Sequence, residues 1–213
     1  MELTKQPKVI FVTNTPDAAR HLRHSLHKFN WEYQMLVAEW QGFYTKINEV
    51  YKWCLKNTDE YFMLVDAHDV IFCREFTPIE FFTYGFFSAE KNCYPNPKLA
   101  PMYPQAPYEW KYLNSGSYIY NRERFIELYK KYAPFIGIDD QLYFTEIFLK
   151  GESISLDNSC QLFQSIAFES EGDFNWFEGG EFKNLKTNTL PTVLHGNGKT
   201  DMRKIKDWLY EKV

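Results

Sequence analysis

The sequence has none of the features that mark membrane, secreted or repeat proteins. Its apolar runs all fall short of the roughly 20 residues that span a bilayer. Residues 1–12 contain one short strand-like run instead of the apolar segment of a signal peptide. No internal repeat or low-complexity tract is present. These absences predict a cytoplasmic protein that does not associate with a membrane.

Cysteine is also scarce, and its spacing argues against two common kinds of site. The chain has 4 cysteines, none of them in a CxxC pair. Zinc sites and disulfide frameworks usually need closer spacing than this. We therefore expect reduced and mostly buried thiols at Cys54, Cys73, Cys93 and Cys160.

Positive charge is not in excess either. The sequence carries 24 Lys and Arg against 28 Asp and Glu, a formal net charge of −4. This balance argues against a protein that binds nucleic acid over its whole surface, because phosphate contacts need clustered cations. A local basic patch is still possible at Arg122, Arg124, Lys130 and Lys131. The alternative is that these residues form an ordinary solvated helix face.

Apolar and aromatic residues, by contrast, are plentiful. The chain has 213 residues, of which 45% are hydrophobic and 19% aromatic. That length and composition suit one domain, over residues 1–213, with a sizeable core. The aromatic residues fill that core, or they form a cleft in which rings stack on a flat ligand or a sugar face.

The first third of the chain alternates between strand and helix patterns. Short apolar runs rich in β-branched or aromatic residues read as strands, and apolar residues at helical spacing separate them. In chain order we predict strand 8–13, helix 17–28, strand 33–37, helix 45–56 and strand 61–65. Such alternation predicts an α/β fold with a mostly parallel sheet, in which ligands collect at the carboxyl ends of the strands.

The remainder of the chain is less regular. Residues 92–108 hold five prolines and are expected to form a long surface loop, a candidate lid or acceptor-side element. Around this loop we predict helix 78–88, strand 112–120, helices 122–132 and 139–149, strands 154–156 and 192–194, and a closing helix 201–212.

Three histidines, His21, His24 and His27, lie three residues apart in the first predicted helix. Such a stripe can bind a metal ion. Metal clusters of this kind usually include a carboxylate, and none lies between these residues in the sequence. We therefore favour a half-exposed helix face.

Two carboxylates stand at a more informative position. Asp66 and Asp69 directly follow the apolar run 61–65, where unpaired negative charge is costly. A divalent cation is the natural partner, because it bridges carboxylates to substrate phosphates. His195, after the predicted strand 192–194, adds a nitrogen ligand, and the resulting set suits Mn²⁺ at least as well as Mg²⁺. The alternatives are a surface turn for the carboxylates and a structural role for the histidine.

Other polar segments complete the candidate site. Residues 114–116 and 196–198 contain glycine and small polar side chains, which let a ligand approach the backbone. Asp139 and Asp140 open a predicted helix, where one of them would face a sugar as base, nucleophile or hydroxyl acceptor. The alternative is that both only complement the helix dipole.

Taken in order, these segments resemble the glycosyltransferase domain of the procollagen lysyl hydroxylases and its viral and bacterial relatives. The matching stretches are residues 65–72, 112–116, 139–143, 156–157 with Gln161, Phe163 and Gln164, and 191–198. The resemblance implies a GT-A fold, in which a mixed, mostly parallel sheet flanked by helices binds a UDP-sugar through Mn²⁺ or Mg²⁺.

The resemblance also implies roles for individual residues. Asp66, Asp69 and His195 would hold the metal, and Asp139 and Asp140 would lie on the catalytic side. The implied nucleotide-sugar contacts are Thr13, Trp40, Lys46, His68, Asn114, Ser115, Gly116, Gly196, Asn197 and Gly198. His68 stands where the family usually has an aromatic residue beside the uridine, and an acceptor-side Trp-Pro of the family appears here as Tyr94-Pro95.

The predicted function is therefore Mn²⁺-dependent transfer of a hexose or pentose from a UDP-sugar to an acceptor hydroxyl. Candidate acceptors are a hydroxylysine-like peptide, a glycan and a hydroxymethylated DNA base, and a viral or phage protein acting in a host cytoplasm fits this range. The alternatives are a nucleotide-sugar binding module without transfer activity and a nucleotidyltransferase. The loop 14–17 disfavours a nucleotidyltransferase, because it lacks the glycine and lysine of a phosphate loop.

Overall fold

A computed structural model describes residues 2–81, 83–167, 171–177, 180–198 and 200–211. These residues form thirteen strands and five α-helices. In chain order the elements are β1 (Glu2–Leu3), β2 (Lys8–Thr13), α1 (Arg20–Lys28), β3 (Tyr33–Val37), α2 (Tyr44–Lys56), β4 (Tyr61–Val65), β5 (Val70–Phe72), β6 (Ile79–Glu80), β7 (Gly85–Glu90), β8 (Tyr112–Asn121), α3 (Arg122–Lys131), α4 (Asp140–Leu149), β9 (Ile154–Leu156), β10 (Phe163–Ser165), β11 (Phe174–Trp176), β12 (Phe182–Asn184), β13 (Val193–His195) and α5 (Arg203–Tyr210).

The main sheet has six strands in the order β3-β2-β4-β8-β7-β9. The pairs β2–β3, β2–β4 and β7–β9 are parallel, whereas β8 runs antiparallel to both β4 and β7. Only β8 therefore opposes the common direction of this sheet. The predicted α/β fold with a mostly parallel sheet flanked by helices is confirmed.

The alternation of side chains along β2 explains why helices cover both faces of the sheet. Val9 and Phe11 join one core cluster with Leu22 of α1. Ile10 and Val12, which alternate with them along the strand, join a second cluster with residues of α2 and α4. Since successive side chains of a strand point to opposite faces, one fully apolar strand needs a helix layer on each side.

A smaller sheet positions part of the candidate site. Its strand order is β10-β13-β5, with β13 parallel to β10 and antiparallel to β5. His195, the last residue of β13, pairs with Val70, the first residue of β5. The turn that carries Asp66 and Asp69 leads directly into β5, so this pairing brings His195 to the two carboxylates.

The helix predicted for residues 78–88 is wrong. The structure has β6 at Ile79–Glu80 and β7 at Gly85–Glu90 instead. All six residues of β7 are buried, because the strand lies between β8 and β9 with both faces covered. A short strand buried on both faces has no alternation of apolar and polar residues that would distinguish it from a buried helix.

The Pro-rich segment and the four cysteines agree with the sequence expectations. The Pro-rich segment is irregular apart from a 3₁₀ turn at Pro97–Met102. The four cysteines are free, and all except the half-buried Cys93 are buried. Within the described ranges, no helix is long and apolar enough to cross a membrane.

Candidate active site

Two cavities adjoin at the edge of the main sheet where β2 and β4 end. The first cavity has a volume of about 320 Å³ and is lined by Val12, Thr13, Asn14, Trp40, Phe43, Lys46, Asp66, Ala67, His68 and Asp69. The second has a volume of about 500 Å³ and includes Glu90, Tyr94, Asn114, Ser115, Gly116, Asp139, Asp140, Gln141, His195, Asn197 and Gly198 in its lining. Four residues line both cavities: Phe43, Lys46, Asp66 and Asp69.

Asp66, Asp69 and His195 form a cluster at the junction of the cavities. One ligand atom from each lies within 4.8 Å of the other two. His195 Nε2 is 3.5 Å from Asp66 Oδ2 and 3.6 Å from Asp69 Oδ2. Two carboxylates and an imidazole with this spacing form a donor set that Mn²⁺ accepts readily.

The orientation of the His195 ring fits metal binding. Its Nδ1 lies 3.0 Å from the amide oxygen of Asn114. Because an amide oxygen only accepts hydrogen bonds, Nδ1 carries the proton and Nε2 faces the carboxylates. Burial opposes a charge on this ring, but Asp69 and Asp66 outweigh burial and raise the pKa of His195.

Gly116 permits the close approach of these groups. A Cβ atom at this position would overlap the His195 imidazole and lie 2.8 Å from Asp66 Oδ2. The Gly116 carbonyl accepts a hydrogen bond of 2.8 Å from the Asp66 N–H. The small residue predicted here is therefore required by the packing of the cluster.

Lys46 connects the cluster to the catalytic candidate Asp140. Its Nζ lies 2.5 Å from Asp66 Oδ1 and 2.7 Å from Asp140 Oδ2. Burial would lower the pKa of this lysine, but Asp140 and Asp66 reverse the effect and raise it. The Lys46 ammonium group thus links the two carboxylates.

The two predicted catalytic carboxylates differ in environment. Asp140 is 4% exposed and accepts a hydrogen bond of 2.9 Å from Ser115 Oγ. Burial raises the pKa of Asp140, and Lys46 opposes that shift. The Asp139 side chain caps α4 by accepting from the Leu142 N–H at 2.9 Å, while it also lines the second cavity.

The first cavity gathers the residues expected to contact a nucleotide. Trp40 and Phe43 stand edge to face, with ring centroids 5.9 Å apart, and both are partly exposed. His68 Nε2 lies 3.0 Å from Thr13 Oγ1 and 3.2 Å from Thr15 Oγ1. These rings and hydroxyls lie next to the Asp66–Asp69–His195 cluster.

Residues 196–198 divide between two roles. Asn197 and Gly198 line the second cavity. Gly196 lies behind it, where its N–H donates to the Asp69 carbonyl at 2.8 Å and where a Cβ would overlap the Met202 thioether. Among the predicted site residues, Gly196 alone has no place in the lining of either cavity.

The sequence interpretation missed Glu90, the last residue of β7. Its carboxylate accepts from Gln141 Nε2 at 2.6 Å, from Asn197 Nδ2 at 2.8 Å and from Asn114 Nδ2 at 3.2 Å. Burial raises the pKa of Glu90, and these amide donors oppose the rise. A carboxylate at the end of an apolar run, as at Asp66, was the available signal, but residues 78–88 were predicted as a helix.

The fold and the site define a glycosyltransferase domain of the GT-A type. The chain belongs to the PLOD GT domain family, whose model matches residues 5–209. Its similarity to solved structures agrees with that fold. A glycosyltransferase involved in glycosylation of the major capsid of PBCV-1 superposes with a TM-score of 0.55 at 9% identity, over 96% of this chain and 98% of that one. Apo GlyE of Streptococcus pneumoniae TIGR4 gives 0.54 at 13% identity, over 98% and 61%.

Relatives in sequence include much longer proteins. Mouse procollagen-lysine,2-oxoglutarate 5-dioxygenase 1 is 29% identical over 90% of this chain and 30% of its own length. A multifunctional procollagen lysine hydroxylase and glycosyltransferase of Caenorhabditis elegans is 30% identical over 92% of this chain and 31% of its length. An uncharacterized mimivirus protein, R699, is 35% identical over 53% of this chain and 24% of its length. This chain thus spans about a third or less of these relatives.

Proposed function

We propose that this domain transfers a hexose or pentose from a UDP-sugar to an acceptor hydroxyl, with Mn²⁺ or Mg²⁺ as cofactor. The observation that carries this proposal is the meeting of two cavities at one carboxylate–histidine cluster. A nucleotide-sugar has a matching layout, because its diphosphate lies between a flat base on one side and a sugar on the other. The diphosphate would lie at the cluster, the uridine in the first cavity and the sugar in the second.

The donor set of Asp66, Asp69 and His195 fits a divalent cation. In the neutral ring of His195, Asn114 holds the proton on Nδ1, which leaves Nε2 free to bind a metal, and Asp66 and Asp69 supply oxygen ligands. A divalent cation bound there would neutralise charge that develops on the departing diphosphate.

The protein's own residues would contribute charge and position. Lys46 fixes the orientation of Asp66 and adds a positive charge beside the diphosphate. Asp140 faces the second cavity with Ser115 and Lys46 holding one of its oxygens, which fixes the carboxylate relative to the sugar. In an inverting reaction, Asp139 or Asp140 would accept the proton of the attacking hydroxyl. A retaining reaction needs no such base.

The acceptor would approach through the second cavity, where Tyr94 is 61% exposed. Carboxylates and amides line this cavity, and such groups bind hydroxyls well. A hydroxylysine-like peptide, a glycan and a hydroxymethylated DNA base each present a suitable hydroxyl.

The test is UDP release from a panel of UDP-sugars, measured with Mn²⁺, with EDTA and in the Asp69→Ala variant. We expect release from one donor that requires both the metal and Asp69. Asp207→Ala, which removes an exposed carboxylate from α5, serves as the control and should release UDP at the wild-type rate. Absence of both UDP release and UDP binding in Mn²⁺ would contradict the proposal and favour a different ligand.

A further inference from the structure

The three histidines of α1 do not form part of a metal site in the described residues, where the only such cluster is the one at the cavities. They belong to a helix face with unusual charge. Residues 18–31 contain Arg20, Arg23 and Lys28 but no carboxylate. The apolar residues of α1 are buried, so its basic and histidine side chains occupy the outer side.

Helix α5 extends this face. Tyr210 Oη lies 3.0 Å from His21 Nδ1, and its ring centroid is 4.5 Å from that of His24. Lys28 Nζ donates to the Leu209 carbonyl at 3.0 Å. Besides burial, Lys206 of α5 lowers the pKa of His21, as do Arg20 and His24, so cations of both helices meet here.

Most of this positive charge lacks a neutralising partner. Across the part of the chain that the structure describes, no carboxylate forms an ion pair with Arg20, Arg23 or Lys206. Asp201, just before α5, pairs with Arg203, and the exposed acids near the face in sequence are Asp17, Asp207 and Glu211. We call Arg20, Arg23, His24, Lys206 and Tyr210 the α1–α5 basic face.

Helix α3 provides a contrast within the same molecule. Its cations are mostly paired: Arg122 with Glu123 at 3.2 Å, Arg124 with Glu127 at 2.8 Å, and Lys131 with Glu152 at 2.6 Å. The basic patch that the sequence left open on α3 is therefore largely neutralised. Charge without a partner is found on the other side of the sheet instead.

We propose that the α1–α5 basic face binds single-stranded nucleic acid through its phosphodiester backbone. Unpaired arginines and lysines supply phosphate contacts, and the exposed rings of His24 and Tyr210 supply surfaces on which unpaired bases stack. This binding is separate from the donor chemistry proposed above.

An anionic membrane fits the same face less well. Helices that bind a membrane surface insert apolar side chains from the face that meets the lipid. Here Leu22 and Leu26 of α1 and Ile205 and Leu209 of α5 are all 1% exposed or less. The face therefore offers charge and rings but no aliphatic side chain for insertion.

The position of the face relates it to the cleft. Helix α1 follows β2, whose last residue Thr13 lines the first cavity, and α5 follows Asn197 and Gly198, which line the second cavity. Both helices therefore come after cleft-lining segments in the chain.

The test is fluorescence anisotropy with a labelled oligothymidine of about 20 nucleotides, longer than the sites of single-strand binding folds. Two triple variants that remove equal charge are compared: Arg20→Gln, Arg23→Gln, Lys206→Gln on the basic face, and Arg124→Gln, Lys130→Gln, Lys131→Gln on α3. Thermal unfolding and UDP binding of both variants verify that the fold and the donor site are intact.

We expect the wild-type domain to bind the oligonucleotide at low salt. The basic-face variant should lower that affinity about tenfold or more, and the α3 variant should lower it less than about twofold. Because each neutralised phosphate contributes about −0.7 to the salt slope, the basic-face variant should flatten that slope by about 2. Equal weakening by both variants, or no binding at low salt, would overturn the proposal. It would also be overturned if anionic phosphatidylserine vesicles bound in preference to the oligonucleotide, since the partner would then be a membrane.

Discussion

The two cavities differ in how their walls are held. In the second cavity, Glu90 accepts from three amide side chains, and Asn114 also orients His195. In the first cavity, Trp40 and Phe43 are partly exposed and contact each other at a ring edge. The wall expected to face the sugar is thus fixed before any ligand binds, whereas the wall expected to face the base gains contacts from the ligand. Substitutions on the two sides should therefore have different effects.

The largest effect is expected at Asp140, in the wall of the second cavity. We predict that Asp140→Asn lowers the rate of sugar transfer about 100-fold while UDP affinity stays within a few fold. The reason is that Asp140 lines the second cavity and has no part in the first. Steady-state kinetics and calorimetry with UDP measure the two quantities. Transfer at the wild-type rate would remove Asp140 from the catalytic assignment.

An intermediate effect is expected at Asn114, which holds the ring of His195. We predict that Asn114→Ala raises the Mn²⁺ concentration needed for half-maximal UDP binding about 10-fold, because His195 loses the acceptor that sets its tautomer. Saturating Mn²⁺ should restore UDP binding. An unchanged Mn²⁺ requirement would show that the amide does not support the metal.

The smallest effect is expected at Trp40, on the partly exposed wall of the first cavity. We predict that Trp40→Ala weakens UDP binding about fivefold by removing a stacking surface, with little change in the rate at saturating donor. Leu55→Ala is the matched control, since Leu55 is an exposed apolar residue of α2 that lines neither cavity. A loss of rate without a loss of affinity at Trp40 would contradict the division between the two walls.

The sequence was sufficient to predict the regular part of the fold. β2 and β4 are short apolar runs that end in turns, and their bounds agree with the predicted strands. Helix α1 is shorter than predicted, since Pro16–Ala19 form a 3₁₀ turn before Arg20. These elements depend on local patterns, which are visible along the chain.

The second half of the chain was harder to predict, for physical reasons. β10, β11 and β12 have three residues each, too few to show a periodic pattern. The role of Gln141 is equally invisible, because its bond to Glu90 joins residues 51 positions apart. Asp66 follows a strong apolar run and can be found from the sequence pattern, and Lys46 and Asn114 come from the family resemblance. Neither source identifies Glu90 or Gln141, whose places depend on long-range hydrogen bonds.

The most direct test of the account is calorimetric titration of UDP into the wild-type domain with Mn²⁺ and with EDTA, and into Asp69→Asn with Mn²⁺. If the Asp66–Asp69–His195 cluster holds the diphosphate through a divalent cation, UDP binds the wild-type domain in Mn²⁺. Its affinity then falls about 100-fold or more with EDTA and in the variant. Equal UDP affinity under all three conditions would contradict the central claim that a metal at this cluster holds the donor.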